Sequence, residues 1–151
     1  MIKSEAQPTE IGVGQQPKTV ARYLPVAARI LTGLVFFVFG LNGFLNFIPQ
    51  PKTPMPDGAS AFAGALMKTG FMMPLVTGTQ LIVGVLLLLN RFVPLALALI
   101  APIIVGIVSF HLFLAPSTIA PGIVVAALEL YLAWSYRGAY RSVLAGRVEP
   151  G

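Results

Sequence analysis

Four long apolar stretches divide the chain, and polar residues, glycine or proline separate each from the next. They cover residues 24–48, 71–89, 92–114 and 122–140. A helix rises about 1.5 Å per residue, so about 20 apolar residues cross a hydrocarbon core of ~30 Å. The pattern therefore predicts an all-α membrane protein, built as a four-helix bundle.

The segment between the first two apolar stretches predicts a short interfacial helix. Residues 57–70 are too few to cross a bilayer, and Asp57 is suited to cap the helix start. Phe62 and Leu66, four residues apart, fall on one face of such a helix. The proline-rich residues 49–56 before it hold the chain extended. We expect this helix to lie over the outer mouth of the bundle with Phe62 and Leu66 turned inward.

The rest of the chain divides into two tails and one membrane domain. Residues 1–22 are polar without apolar periodicity and predict a flexible cytoplasmic tail. Residues 23–140 form the four-helix transmembrane domain, and residues 141–151 a basic cytoplasmic tail. No cleavable signal peptide is expected, because the first apolar stretch is longer than the core of such a signal.

The distribution of basic residues predicts the orientation in the membrane. With four spans, both termini and the turn at Asn90-Arg91 share one side. The basic residues on that side or at its helix ends are Lys3, Lys18, Arg22, Arg29, Arg91, Arg137, Arg141 and Arg147. The opposite side carries Lys52 and Lys68. Since positive charge is concentrated on the cytoplasmic side of membrane proteins, both termini are expected in the cytoplasm.

Composition narrows the classes of function. Only 10% of residues are charged, against roughly 25% in soluble domains, so the lipid bilayer is the expected partner. The net charge of +5 is not arranged as a basic stripe interleaved with aromatics, so no nucleic acid is expected. The absence of cysteine excludes disulfides, thiol nucleophiles and cysteine-bound iron–sulfur clusters. With a single histidine, the sequence predicts no metal site.

Five polar residues inside the apolar stretches are the candidate ligand-binding residues: Asn42, Asn46, Gln80, His111 and Glu129. Counting along the helices puts Asn42 about 9 Å, Gln80 about 13 Å and Glu129 about 10 Å below the outer surface. A carboxylate in mid-bilayer costs ~2.5–3.5 kcal/mol on insertion scales, so Glu129 should face the bundle interior, paired or protonated. We expect Asn42, Gln80 and Glu129 within hydrogen-bonding reach, directly or through water, and His111 above them.

A purely structural interpretation of these residues remains open. Asn, Gln and Thr in membrane helices often serve only as interhelical hydrogen-bonding groups, worth about 0.6 kcal/mol on average. A histidine near a helix end is often an interfacial residue without a ligand. The same residues thus fit either a pocket or a set of contacts that locks four helices together.

Several stretches resemble the DoxX family of small four-helix bacterial membrane proteins. They read FVFGLNGFLNFIPQP, PLVTGTQLIVGVLLLLNRFVPLALALIAP, FHLFLAP and LELYLAW, and the resemblance extends over about residues 24–140. It is most specific at FGLNGFLNF and FHLFLAP. Two departures stand out: relatives commonly carry Glu where this chain has Gln80, and close relatives often carry Asn where it has Gly106.

The resemblance implies a subunit of the bacterial cytoplasmic (inner) membrane that accompanies a redox system. The related DoxD family supplies a membrane part of a thiosulfate:quinone oxidoreductase. We therefore expect an outward-facing polar pocket that binds a quinone, the candidate cofactor, or a similar small apolar molecule, with electrons supplied by an oxidoreductase partner. An accessory subunit is favoured over an enzyme acting alone.

Two other functions stay in consideration. One is a structural or assembly subunit of a larger membrane protein complex, with no ligand of its own. The other is a transporter, which is less favoured because four helices would have to dimerise and no inverted repeat is evident.

Cysteine labelling tests the predicted topology. Single cysteines at Lys18, Lys52, Arg91, Ser117 and Arg147 are treated in intact cells with a maleimide that does not cross membranes. Only those at Lys52 and Ser117 should react, because the other three are expected inside the cell. Labelling at Arg91 would contradict the four-span arrangement or its orientation.

Overall fold

The computed structural model describes residues 18–49, 54–141 and 144–145, and these ranges contain helices and turns but no strand. The α-helices are α1 (Lys18–Leu45), α2 (Asp57–Lys68), α3 (Met72–Leu88), α4 (Val93–Phe113) and α5 (Ile119–Ser135). Short 3₁₀ turns at Pro116–Thr118 and Arg137–Tyr140 flank α5. The prediction of an all-helical protein is confirmed for the described part of the chain.

Three helical segments are long and apolar enough to cross a membrane: Tyr23–Leu45, Val93–Phe113 and Pro116–Ser135. A fourth candidate is the pair α2 and α3, which is bent by 90° at the break between its helices. The described part of the chain therefore has three or four candidate spans. In the predicted four-span arrangement, α3 crosses the membrane without α2 and is the second span along the chain. Its 17 residues extend over about 25 Å.

Several helix ends differ from the expected ones: α1 ends at Leu45 rather than at residue 48, and α5 ends at Ser135 rather than at residue 140. α1 begins at Lys18, so residues 18–22, predicted as part of a flexible tail, are helical. α5 begins at Ile119 because Pro121 is tolerated in a first turn, where its missing N–H would have no helical partner anyway. The prediction of orientation also uses Lys3, Lys52 and Arg147, which lie outside the described residues.

Four of the helices pack in a closed sequence of neighbours. α1 contacts α3, α3 contacts α4, α4 contacts α5, and α5 contacts α1. Each supplies large side chains to a shared apolar core. The most deeply buried of them are Phe36, Leu87, Leu97, Ile100 and Leu132.

The closest helix contact is between α1 and α3, and glycines make it. A Cβ atom on Gly40 would lie 2.5 Å from the backbone nitrogen of Leu81 and 2.8 Å from its Cα. On α3, a Cβ on Gly84 would collide with the backbone of Phe37. Small residues bring membrane helices close enough for extensive van der Waals contact, since lipid provides no hydrophobic force between them. These glycines therefore set the separation of α1 and α3.

Arg29 is buried at the same interface. Its side chain is 7% exposed, and its Nη1 donates to the backbone carbonyl of Leu87. Leu87 lies in the last turn of α3, where carbonyls lack helical partners and the helix dipole is negative. The sequence placed Arg29 among the cytoplasmic charges; the structure shows it holding the end of α3 against α1.

The short helix α2 packs against the carboxyl-terminal end of α4. The ring of Phe62 lies 5.8 Å from that of Phe110, and a Cβ on Gly58 would lie 3.4 Å from the Leu114 side chain. Phe62 nevertheless remains 47% exposed. The helix expected at residues 57–70 is therefore present, and the position of α2 at a membrane interface stays a prediction.

Replacing Gly40 by alanine should destabilise the fold. The new methyl group would force α1 and α3 apart, and overpacking of this kind typically costs about 1–3 kcal/mol. Thermal unfolding in detergent, followed by circular dichroism, measures the change.

Gly106→Ala is the matched control, because a Cβ there would meet nothing within 4 Å. Its effect should stay within about 0.5 kcal/mol. Equal stability of the two variants would show that the α1–α3 glycines do not set the packing.

Candidate ligand pocket between the helices

A cavity of about 360 Å³ lies between α1, α3, α4 and α5, toward the end of the bundle that carries His111. Its polar lining residues are Asn42, Thr77, Gln80 and His111. Its apolar lining comes from Val35, Phe36, Phe39, Met73, Val76, Ile107, Pro121 and Val125, with Gly43 and Gly122. The structure therefore brings three of the five predicted site residues into one pocket.

Asn42 is fixed by the turn that ends α1. Its Oδ1 accepts a hydrogen bond from the backbone N–H of Ile48 at 2.7 Å. Because this bond uses the side-chain oxygen, it determines which end of the amide is the NH₂ group. That group remains as a hydrogen-bond donor at the pocket wall.

Two polar residues of α3 line the pocket, with different capacities. The hydroxyl of Thr77 donates to the carbonyl of Met73 one turn earlier, at 2.8 Å, so its only proton is already used. Gln80 is 9% exposed, and its amide carries both donor and acceptor groups. Gln80 is therefore the principal hydrogen-bonding group that α3 can offer to a ligand.

A hydrogen-bond chain orients the imidazole of His111. Its Nδ1 lies 2.9 Å from the hydroxyl oxygen of Thr118, and that hydroxyl donates its proton to the carbonyl of Ala115 at 3.0 Å. Nδ1 is therefore assigned as the protonated nitrogen, which leaves Nε2 of the neutral ring as an acceptor. The ring carbon next to Nε2 faces Gly122 on the pocket wall, where a Cβ would lie 3.5 Å from it.

Asn46, expected in the pocket, is separate from it. Asn46 is exposed, does not line the cavity, and has a positive φ of 50°. Asparagine tolerates this left-handed conformation better than most residues. Asn46 therefore ends α1, and its backbone N–H donates to the carbonyl of Asn42 at 2.8 Å.

Glu129 is buried as predicted, at 7% exposure, but it lines a different cavity. This second cavity of about 310 Å³ lies between α4 and α5. Val125, one turn earlier on α5, lines the main pocket, whereas Glu129 faces the stretch of α4 from Ala101 to Ser109. No hydrogen bond joins Glu129 Oε2 to any described residue. Of the three residues expected within hydrogen-bonding reach, directly or through water, Asn42 and Gln80 line the main pocket and Glu129 lines the second cavity.

Thr118 is a site residue that the sequence did not reveal. Its hydroxyl reaches His111 only because the chain turns back through the 3₁₀ turn Pro116–Thr118. Proline after the apolar stretch signalled a turn, but nothing in the spacing indicated which hydroxyl would meet the ring.

Substitutions at Asn46 should separate a backbone role from a ligand-binding one. Asn46→Gly is expected to leave stability almost unchanged, because glycine adopts a positive φ without strain. Asn46→Val should destabilise the protein by about 1–2 kcal/mol, since a branched side chain is disfavoured there. Thermal unfolding measures both; a loss of stability in the glycine variant equal to that in the valine variant would indicate a side-chain role instead.

Comparison with known proteins identifies the family. The family model described as DoxX matches residues 24–112, which is more than half of the chain. No match was found among curated proteins or among solved structures. The matched stretch contains Asn42, Gln80 and His111, whereas Glu129 lies beyond it. The chain belongs to the DoxX family.

Proposed function

We propose that the protein is a membrane subunit of a redox system and that the pocket between α1, α3, α4 and α5 binds the head group of a quinone or a similar small apolar molecule. The observation that carries this proposal is the composition of the pocket wall. Amide and imidazole groups from three helices converge on a cavity otherwise lined by aliphatic and aromatic side chains. Such a wall, mostly apolar with a few placed polar groups, is typical of small-molecule sites.

The polar groups match the chemistry of a quinone and its reduced form. A quinone carbonyl accepts hydrogen bonds, and the NH₂ groups of Asn42 and Gln80 are donors. A quinol hydroxyl donates, and Nε2 of neutral His111 is an acceptor. His111 would therefore take part in proton transfer when the quinone is reduced or the quinol oxidised. The electrons belong to a partner oxidoreductase in this proposal.

The size of the cavity suits a head group rather than a whole lipid-soluble quinone. Its volume of about 360 Å³ falls at the lower end of the range of small-molecule sites, roughly 300–1,000 Å³. A long isoprenoid tail would have to leave between the helices into the bilayer. The apolar walls of Phe39, Val76 and Ile107 are compatible with such a tail near the head group.

The local hydrogen bonds of the polar residues support a pocket over a purely structural cluster. Asn42 bonds to the turn after its own helix. Thr77 and Thr79 each bond to the preceding turn of α3. Since these bonds do not cross between helices, they do not hold the bundle together. The alternative is an assembly subunit that binds no ligand, and measuring quinone binding distinguishes the two functions.

Binding of a short-chain quinone to the purified protein in detergent tests the proposal. Gln80→Leu should weaken binding by about tenfold, because a hydrogen bond to a buried ligand oxygen is lost. Isothermal titration calorimetry measures the dissociation constant, and thermal unfolding shows whether the variant is folded.

Thr79→Val is the matched control on the same helix. Its hydroxyl donates to the carbonyl of Leu75, and it does not line the pocket, so quinone affinity should be unchanged. Absence of quinone binding by the unaltered protein, or equal affinity of the Gln80→Leu variant, would support the assembly subunit.

A further inference from the structure

The cavity that contains Glu129 opens sideways from the bundle. It lies between α4 and α5, and we call it the lateral groove. Two of its lining residues, Val105 and Leu130, are 65% and 71% exposed. Because both lie in the middle parts of long apolar helices, this rim faces the hydrocarbon of the bilayer. A molecule dissolved in the membrane can therefore reach the groove without passing through the main pocket.

The floor of the groove carries an acidic group without a partner. Glu129 is 93% buried, the complement of its 7% exposure, and its Oε2 has no hydrogen-bond partner within the described part of the chain. Buried polar groups are nearly always hydrogen-bonded, so an orphaned carboxyl oxygen calls for a donor. The remaining lining is apolar apart from the hydroxyl-bearing Ser109.

Two arginines and one tyrosine of the packed elements have hydrogen-bond partners other than Glu129. Arg29 on α1 donates to Leu87 of α3, and Arg137 stacks on Trp134 while donating to its carbonyl. The hydroxyl of Tyr140 donates to the carbonyl of Pro94 at 2.8 Å. Burial raises the pKa of Tyr140. Tyr140 is therefore neutral and cannot balance a carboxylate.

We propose that the lateral groove is a binding site for lipophilic ammonium ions that enter from the bilayer, with Glu129 as their counter-ion. The charge of such an ion complements the only acidic side chain of the described spans. Its N–H donates to the Glu129 carboxylate, forming a charge-assisted hydrogen bond. Its apolar body replaces lipid against Ala101, Ile104 and Val108. A carboxyl group that is neutral before binding releases its proton to the solution as the ion pair forms.

This site is independent of the proposed quinone pocket. The two cavities share no lining residue, and they differ in the ligand chemistry that they offer. Neutral amide and imidazole groups line one, and a carboxyl group lies at the base of the other. Loss of ligand at one site should therefore leave binding at the other intact.

Binding of 1-adamantylammonium to the full-length protein in lipid nanodiscs tests the proposal. 1-Adamantanol, which has the same body without the charge, is the matched ligand. The ammonium ion should bind more tightly than the alcohol, and Glu129→Gln should weaken ammonium binding by about tenfold or more while leaving alcohol binding unchanged. Gln80→Leu should affect neither ligand. Equal affinity of the two ligands, or an unchanged affinity in the Glu129→Gln variant, would overturn the proposal.

A second measurement uses the unaltered protein, in case the Glu129→Gln variant does not fold. Dicyclohexylcarbodiimide, a lipid-soluble reagent, adds to protonated carboxyl groups in apolar surroundings, and peptide mass spectrometry locates the adduct. Adamantylammonium should protect Glu129 from this reagent, whereas adamantanol should not. If Glu129 resists the reagent in native membranes but reacts after solubilisation, a basic group of a partner protein covers it, and the ammonium site is wrong.

Discussion

The contact between the backbones of α1 and α3 determines where the other parts of the structure can lie. Gly40 on α1 packs against Leu81 on α3, and Gly43 packs against Thr77. These two contacts lie about one turn apart along the helices, and together they fix the register of α1 against α3. This register also determines the positions of Asn42 and Gln80, because each lies one or two residues from one of these contacts. The same interface buries Arg29 against the end of α3. A larger side chain at the glycines would therefore change both the packing and the pocket.

The second determinant is the rotation of α5 against α4. Gly122 and Val125 face the main pocket, whereas Glu129 faces α4. Four residues make slightly more than one turn of an α-helix. Glu129 is therefore rotated about the axis of α5 relative to Val125 and displaced along that axis by about 6 Å. This difference is enough to assign the carboxyl group to a separate cavity. The described residues consequently form one cavity with amide and imidazole groups among four helices and another with a carboxyl group between α4 and α5.

Hydrophobic periodicity predicted the helices well, because length and apolar content alone decide whether a segment can cross a bilayer. Depth along each helix predicted Asn42, Gln80 and Glu129 at similar levels with His111 above them, and Asn42, Gln80 and His111 do line one cavity. Glu129 lines a different cavity, since depth gives the height of a residue and not the direction in which its side chain points. Arg29 shows the same limit: counting charges on each side predicts orientation but not which carbonyl a guanidinium contacts. The role of Asn46 depended on a backbone angle that composition does not specify.

Solvent extraction of the purified protein, followed by mass spectrometry, tests directly whether a quinone binds in the pocket between α1, α3, α4 and α5. The ratio of quinone to phospholipid released by the unaltered protein is compared with that from the Gln80→Leu and Thr79→Val variants. Quinone should be enriched over the surrounding membrane for the unaltered protein and for Thr79→Val, and this enrichment should be lost for Gln80→Leu. The same ratio in all three preparations and in the bulk membrane would contradict a quinone site between the helices.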